Sequence, residues 1–138
     1  GRTHGRVTLR EAFAQSYNLA TVRLAQEVGL DNIIGVARQF GVEAELSPTP
    51  SLALGTSEVT LLDLTEAYAA VAQGRAPVTA TGVEAVRFGP DAAPVAMRAA
   101  EPVETVTLNR TRAPMIEMLR AVIEEGTGRG AATGGFAA

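Results

Sequence analysis

The chain has 138 residues, 46% of them hydrophobic and 20% charged, a balance that excludes disorder and fibrous repeats and leaves room for one core without disulfides or a metal. A formal charge of −3, twelve basic residues scattered singly from Arg2 to Arg129, four Phe, two Tyr and no Trp exclude a nucleic-acid groove or a stacking platform for single strands. The lack of cysteine removes disulfides, thiolate nucleophiles and Cys-based zinc sites.

Thr8 stands three residues before Glu11, the spacing of a capping box, and predicts a short helix over 8–15. Asn18 is a good cap for a second helix over about 18–28, where Leu19, Val22, Ala25 or Gln26, and Val28 approximate a stripe before Gly29. Asp31 is expected to cap a third, with Ile33, Ile34, Ala37 and Phe40 at helical spacing and Gly41 beyond the end. Pro48 and Pro50 force extended backbone, and Ser51-Leu52-Ala53-Leu54-Gly55 reads as a short buried turn or strand. Thr60 and Asp63 offer another capping box, after which Leu61, Leu64, Tyr68 and Val71 line one face of a helix ending near Gly74.

From 76 to 106 the period changes. Residues 82–87 and 95–98 read as strands around Gly89-Pro90-Asp91, a small hairpin. The last strong element spans 112–125, with Met115, Ile116, Leu119, Val122 and Ile123 as its stripe and Pro114 in its first turn. A glycine-rich loop follows, Gly126-Thr127-Gly128-Arg129-Gly130, and the closing Gly-Gly-Phe-Ala-Ala suggests truncation. The fold class is therefore mainly α with a small β hairpin.

Every basic residue is Arg, no Lys occurs, and His4 is the sole histidine. Activating a Ser or Thr hydroxyl needs a base such as His or neutral Lys, and arginine stays protonated. A complete serine hydrolase is thus excluded unless His4 serves, and His4, beside Gly5 with no second His at metal spacing, reads as solvent-facing. Gly126-x-Gly128-x-Gly130 follows a helix instead of opening one, the wrong order for a phosphate loop. Glu11, Glu124 and Glu125 read as a solvated face. Apolar stretches fall short of the ~20 residues of a membrane span. No basic-then-apolar leader opens the chain, so an anchor or export signal is expected outside it.

Ser16-Tyr17-Asn18 lies between the first two helices. Residues two apart on a helix point about 200° apart, so Ser16 and Asn18 reach one cleft only across a break, which the Asn18 cap signal supplies. A hydroxyl that can relay a proton and an amide that donates and accepts then project together. Both residue types are also common N-caps, and caps alone remain the alternative.

The run from Val7 through Ser16-Tyr17-Asn18 to Ala25 resembles the second active-site motif of the class A, bifunctional penicillin-binding proteins. The resemblance continues through Val28-Gly29-Leu30, Ser51-Leu52-Ala53-Leu54-Gly55-Thr56-Ser57-Glu58-Val59-Thr60 and Ala67-Tyr68-Ala69, and returns at Gly126-Thr127-Gly128-Arg129. It implies that residues 1–138 are a partial transpeptidase domain, the helical lobe of the α+β, β-lactamase-like fold. Of the family's three motifs, Ser-x-x-Lys, Ser-x-Asn and Lys-Thr-Gly, only the middle one is present; the first is expected upstream and the third downstream.

By resemblance, Ser16 relays a proton in general acid–base catalysis, Asn18 binds the substrate's amide carbonyl, and Tyr17 is packing or cleft wall. The nucleophile and its lysine are absent, so the isolated chain is expected to be inactive. The resemblance implies a parent that cross-links peptidoglycan stem peptides by serine acyl transfer, binds β-lactams, and carries a glycosyltransferase domain and a membrane anchor on the extracytoplasmic side of the bacterial envelope. No cofactor, metal or nucleic acid is called for. Apolar surface left open by the missing parts is expected to favour self-association. The rival readings are a fragment of a β-lactamase or DD-carboxypeptidase of the same fold, and a non-enzymatic helical interaction module.

Overall fold

The computed structural model describes residues 5–96 and 104–132. Among these residues five α-helices follow in order: α1 (Leu9–Ala14), α2 (Asn18–Val28), α3 (Leu30–Gln39), α4 (Leu61–Gln73) and α5 (Arg112–Glu124). A 3₁₀ turn, Pro50–Leu54, precedes α4 and a second, Arg129–Ala131, follows α5. Among the described residues, four two-residue strands lie between α4 and α5: β1 (Arg75–Ala76), β2 (Ala85–Val86), β3 (Val95–Ala96) and β4 (Val106–Thr107). The expected mainly α architecture with a small β element is what forms.

Two of the helix starts follow from their cap residues. Thr8 Oγ1 accepts from Glu11 N at 3.1 Å at the head of α1, and Thr60 Oγ1 accepts from Asp63 N at 3.0 Å at the head of α4. Each satisfies a backbone donor that a helix start leaves without an intrahelical partner. The expected caps at Asn18 and Asp31 are corrected. Asn18 is the first residue inside α2, and Tyr17, extended and without a side-chain cap bond, precedes it. At α3 the cap is Gly29, at φ 93°, and Asp31 falls in the first turn. A residue able to take positive φ lets the chain turn from α2 into α3 within one position; Asn32 Nδ2 ties the two helices by donating to Val28 O at 2.7 Å.

The 51–55 segment forms the first 3₁₀ turn, ended by Gly55 at φ 77°, and not a strand. It is half-buried to exposed instead of buried. The expected hairpin forms where it can be followed: β2 and β3 are antiparallel, with Ala85 opposite Ala96 and Val86 opposite Val95. Residues 97 and 98 lie outside the described set, as does His4. A second antiparallel pair, β1 with β4, sets Arg75 opposite Thr107 and Ala76 opposite Val106; sequence reading did not anticipate it.

The helices meet through small residues. α1 packs on α5, α4 on α5 and β1, and α2 on the first 3₁₀ turn. Among the described residues the buried hydrophobic set is Ala12, Ala14, Ala25, Ala70, Ala76 and Ala121. The stripes of α3 and α5 face partly inward, with Ile33, Ile34, Ala37, Met115, Ile116, Leu119 and Val122 all half-buried. Of the α4 stripe only Val71 is half-buried: Leu61 is 80% exposed and Tyr68 56%, while Ala70 supplies that helix's buried contact. These elements leave most of the apolar stripe of α4 open.

Candidate functional site

The break between α1 and α2 is built around Ser16. Its φ of 55° places it in the left-handed region, the one positive-φ residue other than glycine among those described. The local hydrogen bonds explain the conformation. Ser16 N donates to Phe13 O at 3.2 Å and Tyr17 N to Ala12 O at 2.9 Å, the paired bonds that close a helix when the residue after its C-cap turns left-handed. The same pair ends α3, where Gly41 N donates to Arg38 O at 3.0 Å and Val42 N to Ala37 O at 3.1 Å. There the left-handed position holds a glycine at φ 91°, the residue that motif favours. At the end of α1 a serine takes it, at a backbone cost of ~1–2 kcal/mol. Strain of this kind clusters at functional sites.

The end of α5 secures that corner. Thr127 N donates to Ala14 O at 3.1 Å, and Gln15 Nε2 to Glu125 O at 2.9 Å. Arg10 holds the Glu125 carboxylate through two bonds of 2.8 and 2.7 Å, and Arg129 donates to Glu125 O at 2.8 Å. The hydrogen bond and then the charge of Arg10 hold the Glu125 carboxyl below the usual carboxylate range, and Glu125 in turn raises the Arg10 guanidinium. Gly126 makes the approach possible. A Cβ there would stand 2.1 Å from Ala14 O and 2.9 Å from Val122 Cα.

Ser16 and Asn18 both open onto a groove of about 640 Å³. Thr21 of α2, Ala53 and Leu54 of the first 3₁₀ turn, Tyr68 of α4, Leu119, Val122 and Ile123 of α5, and Thr127 complete it together with Phe13. Ser16 and Asn18 are exposed, and no described protein group hydrogen-bonds either side chain. No charged side chain is among these lining residues. The arrangement therefore offers hydroxyls and one carboxamide on an apolar wall, suited to binding a polar, uncharged group such as an amide. Tyr17 is half-buried and outside the lining.

Sequence reasoning missed Thr127 as a groove residue. The signal lay in the two glycines that flank it, which mark a close backbone approach after a helix. A second, apolar cleft of about 290 Å³ lies between α1 and α2, lined by Val7, Leu9, Ala20 and Leu24 among others. Among the described residues no three His, Cys, Asp or Glu side chains are placed to hold a metal ion.

The sequence model of the penicillin binding protein transpeptidase domain matches residues 1–137. The chain belongs to this family. Among its relatives, penicillin-binding protein 1A of Aquifex aeolicus is 37% identical over 134 residues, 93% of this chain, and penicillin-binding protein 1A of Neisseria cinerea is 31% identical over 137 residues, 96% of it. Penicillin-binding protein 1A of Rickettsia typhi is 38% identical over 87 residues, 63% of this chain. The chain spans 17% of the first two relatives' length and 11% of the third's. The mainly helical fold described above is consistent with that of the penicillin-binding protein transpeptidase domain.

Proposed function

We propose that this transpeptidase-family chain contributes the helical lobe and one wall of the acyl-transfer cleft of a bifunctional peptidoglycan DD-transpeptidase. The observation that carries the reading is the left-handed Ser16 corner, which brings a hydroxyl and the Asn18 carboxamide onto one groove despite their two-residue spacing. The relatives' name, penicillin-binding protein 1A, supports it.

In this reading a serine outside the chain attacks the carbonyl of the penultimate D-Ala in a D-Ala-D-Ala stem peptide. The peptide bond breaks, the terminal D-Ala leaves with a proton, and the acyl group passes to an amine of a second stem, which gives up a proton and restores the serine. Ser16 relays the proton between the catalytic lysine, which the chain lacks, and the leaving or attacking amine. Asn18 donates its amide to the carbonyl of the acyl donor's side chain and fixes it for attack. β-Lactams present a like carbonyl and acylate the same serine. Deprived of nucleophile and lysine, the 138-residue chain alone forms no acyl-enzyme.

The glycosyltransferase activity and the membrane anchor belong to other parts of the protein, and the active face lies outside the cytoplasmic membrane. Among the described residues no helix is long and apolar enough to cross a membrane. The test is acylation of the full-length protein by a fluorescent penicillin. Asn18→Asp is expected to keep the fold and slow labelling by roughly 10–100-fold, the loss of one well-placed polar contact. A folded variant that labels at the wild-type rate contradicts the role given to Asn18.

A further inference from the structure

We propose that Gly126 is a positioning residue for Ser16, an inference that rests on the reading of Ser16 as the proton relay. Two independent features meet at Ala14, the last residue of α1 and two before Ser16. Its carbonyl, one of those a helix end leaves without a partner, accepts from Thr127 N at 3.1 Å. It also lies where a Cβ on Gly126 would fall, 2.1 Å away. Glycine at 126 is thus what lets the α5 end close on the corner that holds Ser16 left-handed. Gln15 Nε2, donating to Glu125 O at 2.9 Å, ties the same corner to the α5 end a second time.

The magnitude follows from the geometry. Cβ atoms essentially never approach another heavy atom closer than 3.0 Å, so an alanine at 126 must move Ala14 and the α5 end apart by the difference from 2.1 Å, about 1 Å. Misplacing a reacting group by ~1 Å costs about 100-fold in rate. Gly130 is the control, since nothing lies within 4 Å of a Cβ there.

The experiment is stopped-flow acylation of the full-length protein by fluorescent penicillin. It resolves the rate constant, the concentration of half-saturation and the moles of label bound per mole of protein. Gly126→Ala is expected to lower the rate constant about 100-fold with final stoichiometry unchanged, while Gly130→Ala matches wild type. A wild-type rate constant in Gly126→Ala, whether labelling is complete or only its stoichiometry falls, overturns the proposal, because a merely structural glycine alters the active fraction and not its rate. Should Gly126→Ala yield no folded protein, Gln15→Leu decides: several-fold slower labelling at full stoichiometry supports positioning, and a wild-type rate refutes it. Ser16→Ala reports on the underlying reading by itself. Slow Ser16→Ala with wild-type Gly126→Ala sinks only the positioning role, whereas wild-type Ser16→Ala sinks the relay.

Discussion

Replacing Ser16 with glycine should raise stability and remove activity together. Ser16 holds φ 55° at the position where α3 uses Gly41. The left-handed backbone costs a residue with a Cβ ~1–2 kcal/mol, and glycine avoids it. Glycine returns ~0.5–1 kcal/mol of that through the extra freedom of its unfolded chain. The net is a gain of about 0.5–1 kcal/mol, a rise of roughly 1–4 °C in Tm for a domain of about 150–250 residues. The reciprocal change, Gly41→Ser, should cost about 0.5–1 kcal/mol by the same balance, with no added clash because its Cβ would meet Pro77 Cβ at an ordinary 3.6 Å. Scanning calorimetry of the full-length protein, following the transition that penicillin shifts in the wild type, reads both. Penicillin labelling of the same samples should slow by about 10²–10⁴-fold in Ser16→Gly. A Ser16→Gly variant less stable than wild type refutes the reasoning, since the serine side chain would then be holding the corner together.

Further outcomes can be checked alongside. Thr60→Ala removes the bond to Asp63 N and should cost about 1 kcal/mol by urea unfolding. Gly74→Ala meets both a φ of 74° and Arg112 Cδ at 2.8 Å, so it should cost more than Gly41→Ala, and the bonds from Arg112 to Ala72 O should be lost. Glu125 titrates below the usual carboxylate range in the folded protein. Its contribution is therefore present above roughly pH 4 and lost as pH falls through the lowered value. Glu125→Gln should flatten the acid limb of a Tm-versus-pH curve, and 1 M salt should shrink the wild-type effect. The 138-residue chain alone, with Leu61 and Tyr68 open on α4, should self-associate; a monomer by light scattering at high concentration counts against that.

Local signals carried most of what the sequence revealed of the fold. Thr8 and Thr60 sit where a side-chain oxygen can reach a free N–H, and Gly29, Gly41 and Gly74 end helices where positive φ is needed, so four of the five helices could be bounded within a few residues. The β1–β4 pair was invisible because its two-residue strands carry no period and join segments some thirty residues apart. Exposure of the α4 stripe was hidden for another reason: spacing shows which face is apolar, not whether anything covers it. At the candidate site, the two-residue spacing said only that a shared cleft requires a break, and the cap signal at Asn18 placed that break within one residue of where it occurs. Its cause could not be read, since serine does not announce a left-handed turn as glycine does, and Asn18 looked like the cap that Tyr17 turns out to be. For Thr127 the flanking glycines mark a close approach, but only the contact of α1 with α5 shows what is approached.

The most direct measurement is a crystal structure of the full-length protein acylated by a penicillin. The Asn18 side-chain amide should lie about 3 Å from the carbonyl of the drug's own amide, with Ser16 Oγ turned toward the acylated serine. An acyl group seated elsewhere, touching neither residue, would contradict the assignment of this groove to acyl transfer.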